Sequence, residues 1–350
     1  MFKLKLKFKF KFKFKLKLKL LRWTYKHINS STFPLETSHV KNLYILLTLL
    51  LCQTALRAQQ DPQYTQYMYN MSVINPAYTT NDPGMLNFGA LYRSQWKNTV
   101  GAPETLTFFA HVPLSDKIET GISVISDRIG DGAVKENNIY ADFAYILKLD
   151  EKSNISLGLK GGLTLFETNF NGFRLPEFQD DMAFNENLNK TFPNVGAGAF
   201  YHRQNFYAGL SVPNLLTSKH LENRDGIVRT GSEKIHLFLT SGYVYELNAN
   251  LKLKPSILAK VVQGAPLTMD VSLNALLMNR FEGGLSYRLD DSVSAMFNLS
   301  VLPALRIGYA YDYTLSNLST YSSGSHEIFV LFDLDLLGLG KGYDKSPRFY

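Results

Sequence analysis

The nearest approach to a nucleophile elbow in this 350-residue sequence is Gly209-Leu210-Ser211-Val212-Pro213, and it fails at its last position, where Gly-x-Ser-x-Gly requires glycine. The pentad reads instead as a strand ending in a turn. His326-Glu327 has no second histidine four positions on, so it lacks the paired imidazoles of a zinc-binding helix. Gly338-Leu339-Gly340-Lys341 lacks the spacing of a phosphate loop and reads as part of a tail. Glu177, Asp180, Asp181, Asn185 and Glu186 offer hard oxygens of the kind calcium takes, but a solvated loop has the same composition, and that is the expectation here. The five histidines beyond residue 58 stand singly, and the one cysteine is Cys52. These patterns predict a protein without catalytic, cofactor-binding or metal-binding residues, and hence not an enzyme.

The charges with a defined setting are those inside alternating segments. In Leu305 to Tyr313, residues Leu305, Ile307, Tyr309, Tyr311 and Tyr313 share one face, and Arg306, Gly308, Ala310 and Asp312 the other. Ile155 to Leu165 sets Leu157, Leu159 and Leu163 against Ser156, Gly158, Lys160, Gly162 and Thr164. Phe281 to Leu289 sets Leu285 and Tyr287 against Glu282, Ser286 and Arg288. Soluble sandwiches alternate as well, but their strands average about five or six residues, whereas membrane-crossing strands need about 9 to 11. About fourteen such segments begin near Asn87, Glu104, Ile118, Ile139, Ile155, Asn194, Phe206, His236, Leu251, Thr268, Phe281, Ser292, Leu305 and His326. Every second connection is tight, around Leu114, Glu151, Arg203, Ala249, Asn279 and Pro303. The intervening ones include long loops near Arg128, from Thr168 to Pro193, from Asn214 to Lys234 and from Ser316 to Ser325; those near Gly264 and at Asp290-Asp291 are short. Short turns on one rim and longer loops on the other are the mark of an outer-membrane barrel, with the short side periplasmic.

The expected fold is therefore all-β, a transmembrane antiparallel barrel over residues 87–335, with Lys160, Glu282, Arg288, Arg306 and Asp312 facing the lumen. Lipid offers no partner to an open strand edge, so the sheet must close. Pro255 interrupts one segment and predicts a bulge or a shifted boundary.

Residues 1–58 hold 13 of the 37 basic residues but only Glu36 of the 30 acids, which leaves the remainder with 24 against 29, a formal charge of −5. Nucleic acid is thereby excluded as the expected partner. Lys41, the apolar run Leu43 to Leu51 and Ala55-Leu56-Arg57-Ala58 form a signal peptide over 41–58, cleaved on export. Cys52 follows three leucines where lipid attachment wants a small residue. Residues 1–40 include a Lys/Phe/Leu alternation that AT-rich DNA would encode, which predicts a start assigned too early, with Val40 as an alternative start, or a dispensable leader. Residues 336–350 form a tail.

Residues 59–86 fit neither strand nor helix. They contain Asp61-Pro62-Gln63-Tyr64-Thr65-Gln66-Tyr67 and Ile74-Asn75-Pro76-Ala77-Tyr78, and Asp-Pro and Asn-Pro initiate turns. An aromatic-rich irregular segment needs cover from water, so it is expected to fold into or under the barrel mouth, as a plug or periplasmic segment. Both stretches resemble the mature start of the PorP/SprF family. Further matches are Tyr92-Arg93-x-Gln95-Trp96, Gly101-Ala102-Pro103, Gly209 to Pro213, Gly308-Tyr309-Ala310-Tyr311-Asp312, Ser322 to Glu327 and Ser346-Pro347-Arg348-Phe349-Tyr350. The lysine-rich leader departs from the family pattern.

The resemblance implies a Bacteroidota outer-membrane barrel beside the type IX secretion machinery. Its expected partners are outer-membrane lipid, secretion components, periplasmic peptidoglycan-associated proteins and large secreted adhesins, including gliding adhesins. An outer-membrane porin or transporter for small or hydrophobic solutes is the alternative, since about fourteen strands leave room for a lumen or a plug. Partner contacts are expected at Asp61, Pro62, Gln63, Tyr64, Gln66, Tyr67, Asn75, Pro76 and Tyr78, and in the loop from Thr168 to Pro193.

Overall fold

The computed structural model describes residues 62–80, 85–169, 187–216, 222–224, 227–229, 234–262 and 265–335. The signal-peptide and leader expectations, Asp61, the acidic cluster from Glu177 to Glu186 and the tail lie outside these residues.

The strands are β1 (Met85–Ser94), β2 (Glu104–Ser115), β3 (Ile118–Ile129), β4 (Val134–Lys148), β5 (Ser153–Thr168), β6 (Asn189–Arg203), β7 (Phe206–Val212), β8 (Glu222–Arg224), β9 (Ile227–Arg229), β10 (His236–Tyr243), β11 (Tyr245–Asn248), β12 (Leu251–Val262), β13 (Thr268–Leu277), β14 (Phe281–Arg288), β15 (Ser292–Leu302), β16 (Leu305–Thr314) and β17 (Ser325–Asp335). Fourteen of them form a closed antiparallel barrel. Neighbours in sequence pair around the ring, β1 pairs with β17 from Met85↔Asp335 to Ser94↔His326, and β10 pairs with β12 from His236↔Val262 to Gly242↔Ser256. β11 is an extra strand on β12, and β8 and β9 form a separate hairpin.

Alternation fixes which face points outward. Leu157, Leu159 and Leu163 on β5, Leu285 and Tyr287 on β14, and Ile307, Tyr309 and Tyr313 on β16 all point outward and are exposed. Their neighbours Ser156, Lys160 and Thr164, then Glu282 and Arg288, then Ala310 and Asp312, are buried on the inner face. A one-residue slip of register would exchange the two sets, placing ionised groups in hydrocarbon, so the pairing is strongly specified. β4, β5 and β6 run 15, 16 and 15 residues, beyond the roughly 9 to 11 a bilayer needs. Their extra length carries Lys135, Glu136, Asn137, Asn189 and Lys190 at the long-loop end, where the ladder continues past the apolar band.

Pro255 stays in register with Leu273 of β13, so no bulge lies there. The irregularity falls on the other neighbour. β10 pairs with β12 only as far as Gly242↔Ser256, and β11 resumes at Tyr245↔Leu253. Val244 between them keeps its bond on the β7 side, donating its main-chain N–H to Asn205 O at 2.7 Å. A proline has no N–H to offer that side, and the break sits opposite it.

Candidate functional site

The lumen is filled by the chain itself. Residues 62–80 lie inside the ring, almost all buried, in a path that includes a 3-10 turn at Tyr67–Tyr69 and a single helical turn at Met71–Ile74. Local bonds from Tyr69 N to Gln66 O (2.9 Å) and Asn75 N to Met71 O (2.8 Å) close these turns, which the sequence pattern did not indicate. Tyr64, Tyr67, Met68, Tyr69, Val73 and Tyr78 join inward wall residues such as Leu91, Phe109, Phe200 and Phe329 in one apolar cluster. Tyr69 stacks on Phe329 at 4.6 Å, and Tyr78 meets Phe200 edge-on at 5.4 Å.

So short a segment cannot satisfy its own main chain, and buried polar groups left unpaired are costly. Wall side chains supply the missing partners. Glu327 accepts from the main-chain N–H groups of Thr65 and Gln66 at 2.9 and 2.7 Å, and Glu119 accepts from that of Thr80 at 3.0 Å. Lys160 donates to Val73 O at 2.9 Å, Ser211 to Ile74 O at 2.8 Å and Ser156 to Ala77 O at 2.6 Å. Arg288 reaches Tyr64 O at 3.4 Å.

The wall groups are themselves paired. The Arg93 guanidinium bridges Asp312 at 2.6 Å and Glu327 at 3.0 Å, and all three side chains are buried. Thr65 closes this cluster, its hydroxyl donating to Asp312 at 2.8 Å while it accepts from Arg93 at 3.0 Å. Arg288 binds Asp270 through two nitrogens at 2.7 and 3.1 Å. The Tyr69 hydroxyl donates to Glu282, which also accepts from Asn274. Lys160 stands 3.7 Å from Asp142. Ionised groups survive in such a place because opposite charges and hydrogen bonds replace lost water.

The seat for Asn75-Pro76-Ala77 is made by glycines. A Cβ on Gly158 would collide with the Pro76 carbonyl and the Ala77 nitrogen, and one on Gly198 with the Asn75 amide. Asn75 uses the space: its amide donates to Ala199 O at 3.1 Å and its carbonyl oxygen accepts from Ala77 N at 2.9 Å.

Motifs far apart in sequence converge at the long-loop rim above Arg93. Lys97 N donates to Gly324 O at 2.7 Å, Ser323 N donates back to Lys97 O at 2.9 Å, and Gly130 N donates to Gly101 O at 2.9 Å. Three loops are thus tied together, and left-handed backbone at Trp96, Asn98, Asp131, Gly101, Gly130 and Gly324 makes the turns. Tyr92-Arg93-x-Gln95-Trp96, Gly101-Ala102-Pro103, Gly308 to Asp312 and Ser322 to Glu327 all contribute to this rim or to the charge cluster beneath it.

Of the residues singled out from sequence, Lys160, Glu282, Arg288 and Asp312 project into the filled lumen, and Arg306 is half-buried with its guanidinium 5.9 Å from the Tyr69 ring centre. Tyr64, Gln66, Tyr67, Asn75, Pro76 and Tyr78 are buried within the barrel, whereas Pro62 and Gln63 are partly exposed. Sequence reasoning did not place Arg93, Glu119, Asp270 or Glu327 in the lumen. Alternation held the signal, because Arg93 follows outward Tyr92 and Glu327 precedes outward Ile328. Among the described residues, no three His, Cys, Asp or Glu side chains gather as a metal ion would require.

The chain is similar in structure to the Acinetobacter baumannii outer membrane protein Omp33, with a TM-score of 0.43 and 8% identity over 72% of this chain and 100% of that one. It is likewise similar to the Pseudomonas putida toluene transporter TodX (TM-score 0.45, 11% identity, 77% of this chain and 94% of that one) and to a Pseudomonas aeruginosa FadL homologue (0.43, 12%, 76% and 94%). No curated protein matches the sequence. Residues 56–332 match the family described as type IX secretion system membrane protein PorP/SprF, and that span includes the whole lumenal segment and nearly all of the barrel wall. The chain is an outer-membrane β-barrel that belongs to the PorP/SprF family.

Proposed function

We propose that this barrel is a non-enzymatic accessory of type IX secretion that supports export or surface attachment of large adhesins, or assembly of the machinery, and that it does so with its lumen shut. The observation carrying the secretion reading is the family match over residues 56–332, and the lumenal segment, whose main chain is fastened to Glu119, Lys160, Ser156, Ser211 and Glu327, supports the shut lumen. A diffusion pore would keep a polar, wetted lumen. Beside Pro62, Phe238 and Leu258, among the described residues, lies one small cavity of about 30 Å3, room for a water or two. With the interior occupied, the surfaces left to partners are the two rims and the lipid-facing wall.

Export by a cleaved signal peptide, a Bacteroidota source, and contact with secretion components and peptidoglycan-associated proteins belong to the same proposal. Within the lumenal segment, contact falls first on Pro62 and Gln63; the buried residues from Tyr64 to Tyr78 meet a partner only if the segment moves. The test is a deletion strain carrying either the intact gene or none. Loss of one large adhesin from the cell surface, with other secreted proteins still exported, supports the dedicated accessory role. Loss of all type IX export supports a role in assembly. Unchanged surface and secreted proteins contradict both.

A further inference from the structure

The two ends of the lumenal segment lie at opposite rims. Thr80 is fixed by Glu119, the second residue of β3 from the short-turn end, and the chain then enters β1 at Met85 on that rim. The other end is held by groups at the long-loop ends of their strands. Glu327 is the third residue of β17 from that end, Asp312 the third from last of β16, and Arg288 the last of β14. Pro62, Gln63 and Tyr64 line a cavity with Thr268, the first residue of β13, and with Asp270 and Lys260 nearby on the same rim.

A plug tucked in from the periplasm as a simple loop would return both ends to the short-turn rim. This one does not. We infer that the segment is threaded through the barrel, so that its amino-terminal end emerges at the outer mouth and presents Pro62 and Gln63 there as a handle on the plug. Among the described residues, a pull from outside meets Pro62 first, then the bonds of Thr65 and Gln66 to Glu327, and only later the glycine seat of Asn75. The inference concerns direction alone and does not rest on the adhesin reading.

Single cysteines in a Cys52→Ser background test it in the full chain, in its own outer membrane. Gln63→Cys probes the handle, Lys97→Cys the long-loop rim and Lys152→Cys the short-turn rim; both lysines are exposed. A small, charged, membrane-impermeant maleimide is applied to intact cells and again after permeabilisation of the outer membrane, with heat-modifiable mobility confirming that each barrel has folded. The expected result is that Gln63→Cys labels in intact cells together with Lys97→Cys, while Lys152→Cys labels only after permeabilisation. Labelling of Gln63→Cys only after permeabilisation, or in neither condition, overturns the inference, as does labelling of Lys152→Cys in place of Lys97→Cys on intact cells. A conducting barrel or an unaffected adhesin would leave the labelling pattern as it stands.

Discussion

The barrel wall and the segment inside it satisfy their backbones in opposite ways. Each wall strand finds its hydrogen bonds on two neighbouring strands, in ladders as regular as the fifteen positions joining β4 to β5. The lumenal segment has no ladder; it borrows carboxylates, an ammonium and hydroxyls from strands far away in sequence. The wall is therefore tolerant of any one inward side chain, whereas the plug depends on a few. That asymmetry separates substitutions that release the plug from those that weaken the ring.

Glu327→Ala should have the largest effect, because it removes the acceptor for Thr65 and Gln66 and leaves Arg93 short of a partner. Arg93 keeps Asp312 at 2.6 Å, so the loss lies at or below the roughly 3–5 kcal/mol that stranding one member of a buried ion pair costs. The expected outcome is protease cleavage between Pro62 and Thr80 in a barrel that still migrates as folded. Leu159→Arg, one residue from inward Lys160, addresses the wall instead. A basic residue on the lipid face costs about 2–4 kcal/mol near the midplane, read as an earlier unfolding midpoint in urea with the plug still protected. Gly198→Val overfills the seat of Asn75. Overpacking costs about 1–3 kcal/mol, and protease should find the segment around Pro76 before the ring unfolds. At the small end is Asp150 in the turn after β4, whose carboxyl is held below the usual range because it accepts the Lys152 main-chain N–H at 2.7 Å. NMR titration should find it ionised further into acid than a free aspartate, with its contribution present above the unfolded pKa and lost as pH falls through the folded value.

The same contrast explains what could be read before the fold was in hand. Wall strands announce themselves, since alternation between an apolar outer and a polar inner face is a local property; Glu104, Ile118, Phe206, His236 and Leu251 begin strands as expected. β4 and β6 start earlier than expected, at Val134 and Asn189 rather than near Ile139 and Asn194, because beyond the bilayer polar residues replace the apolar ones and the alternation fades. That the segment needs cover was legible from its aromatics and turn dipeptides, which left open a place in the barrel mouth or beneath it. Its path was not. The bond from Thr65 to Glu327 spans 262 positions, and no local pattern encodes that distance.

Conductance across a planar bilayer tests the occupied lumen most directly, comparing the full chain with a variant lacking residues 62–80. The intact barrel should insert without a stable ohmic current, and the deletion should open a steady pore. Equal, large currents from both would mean that the segment does not close the barrel, and the account built on it would fall.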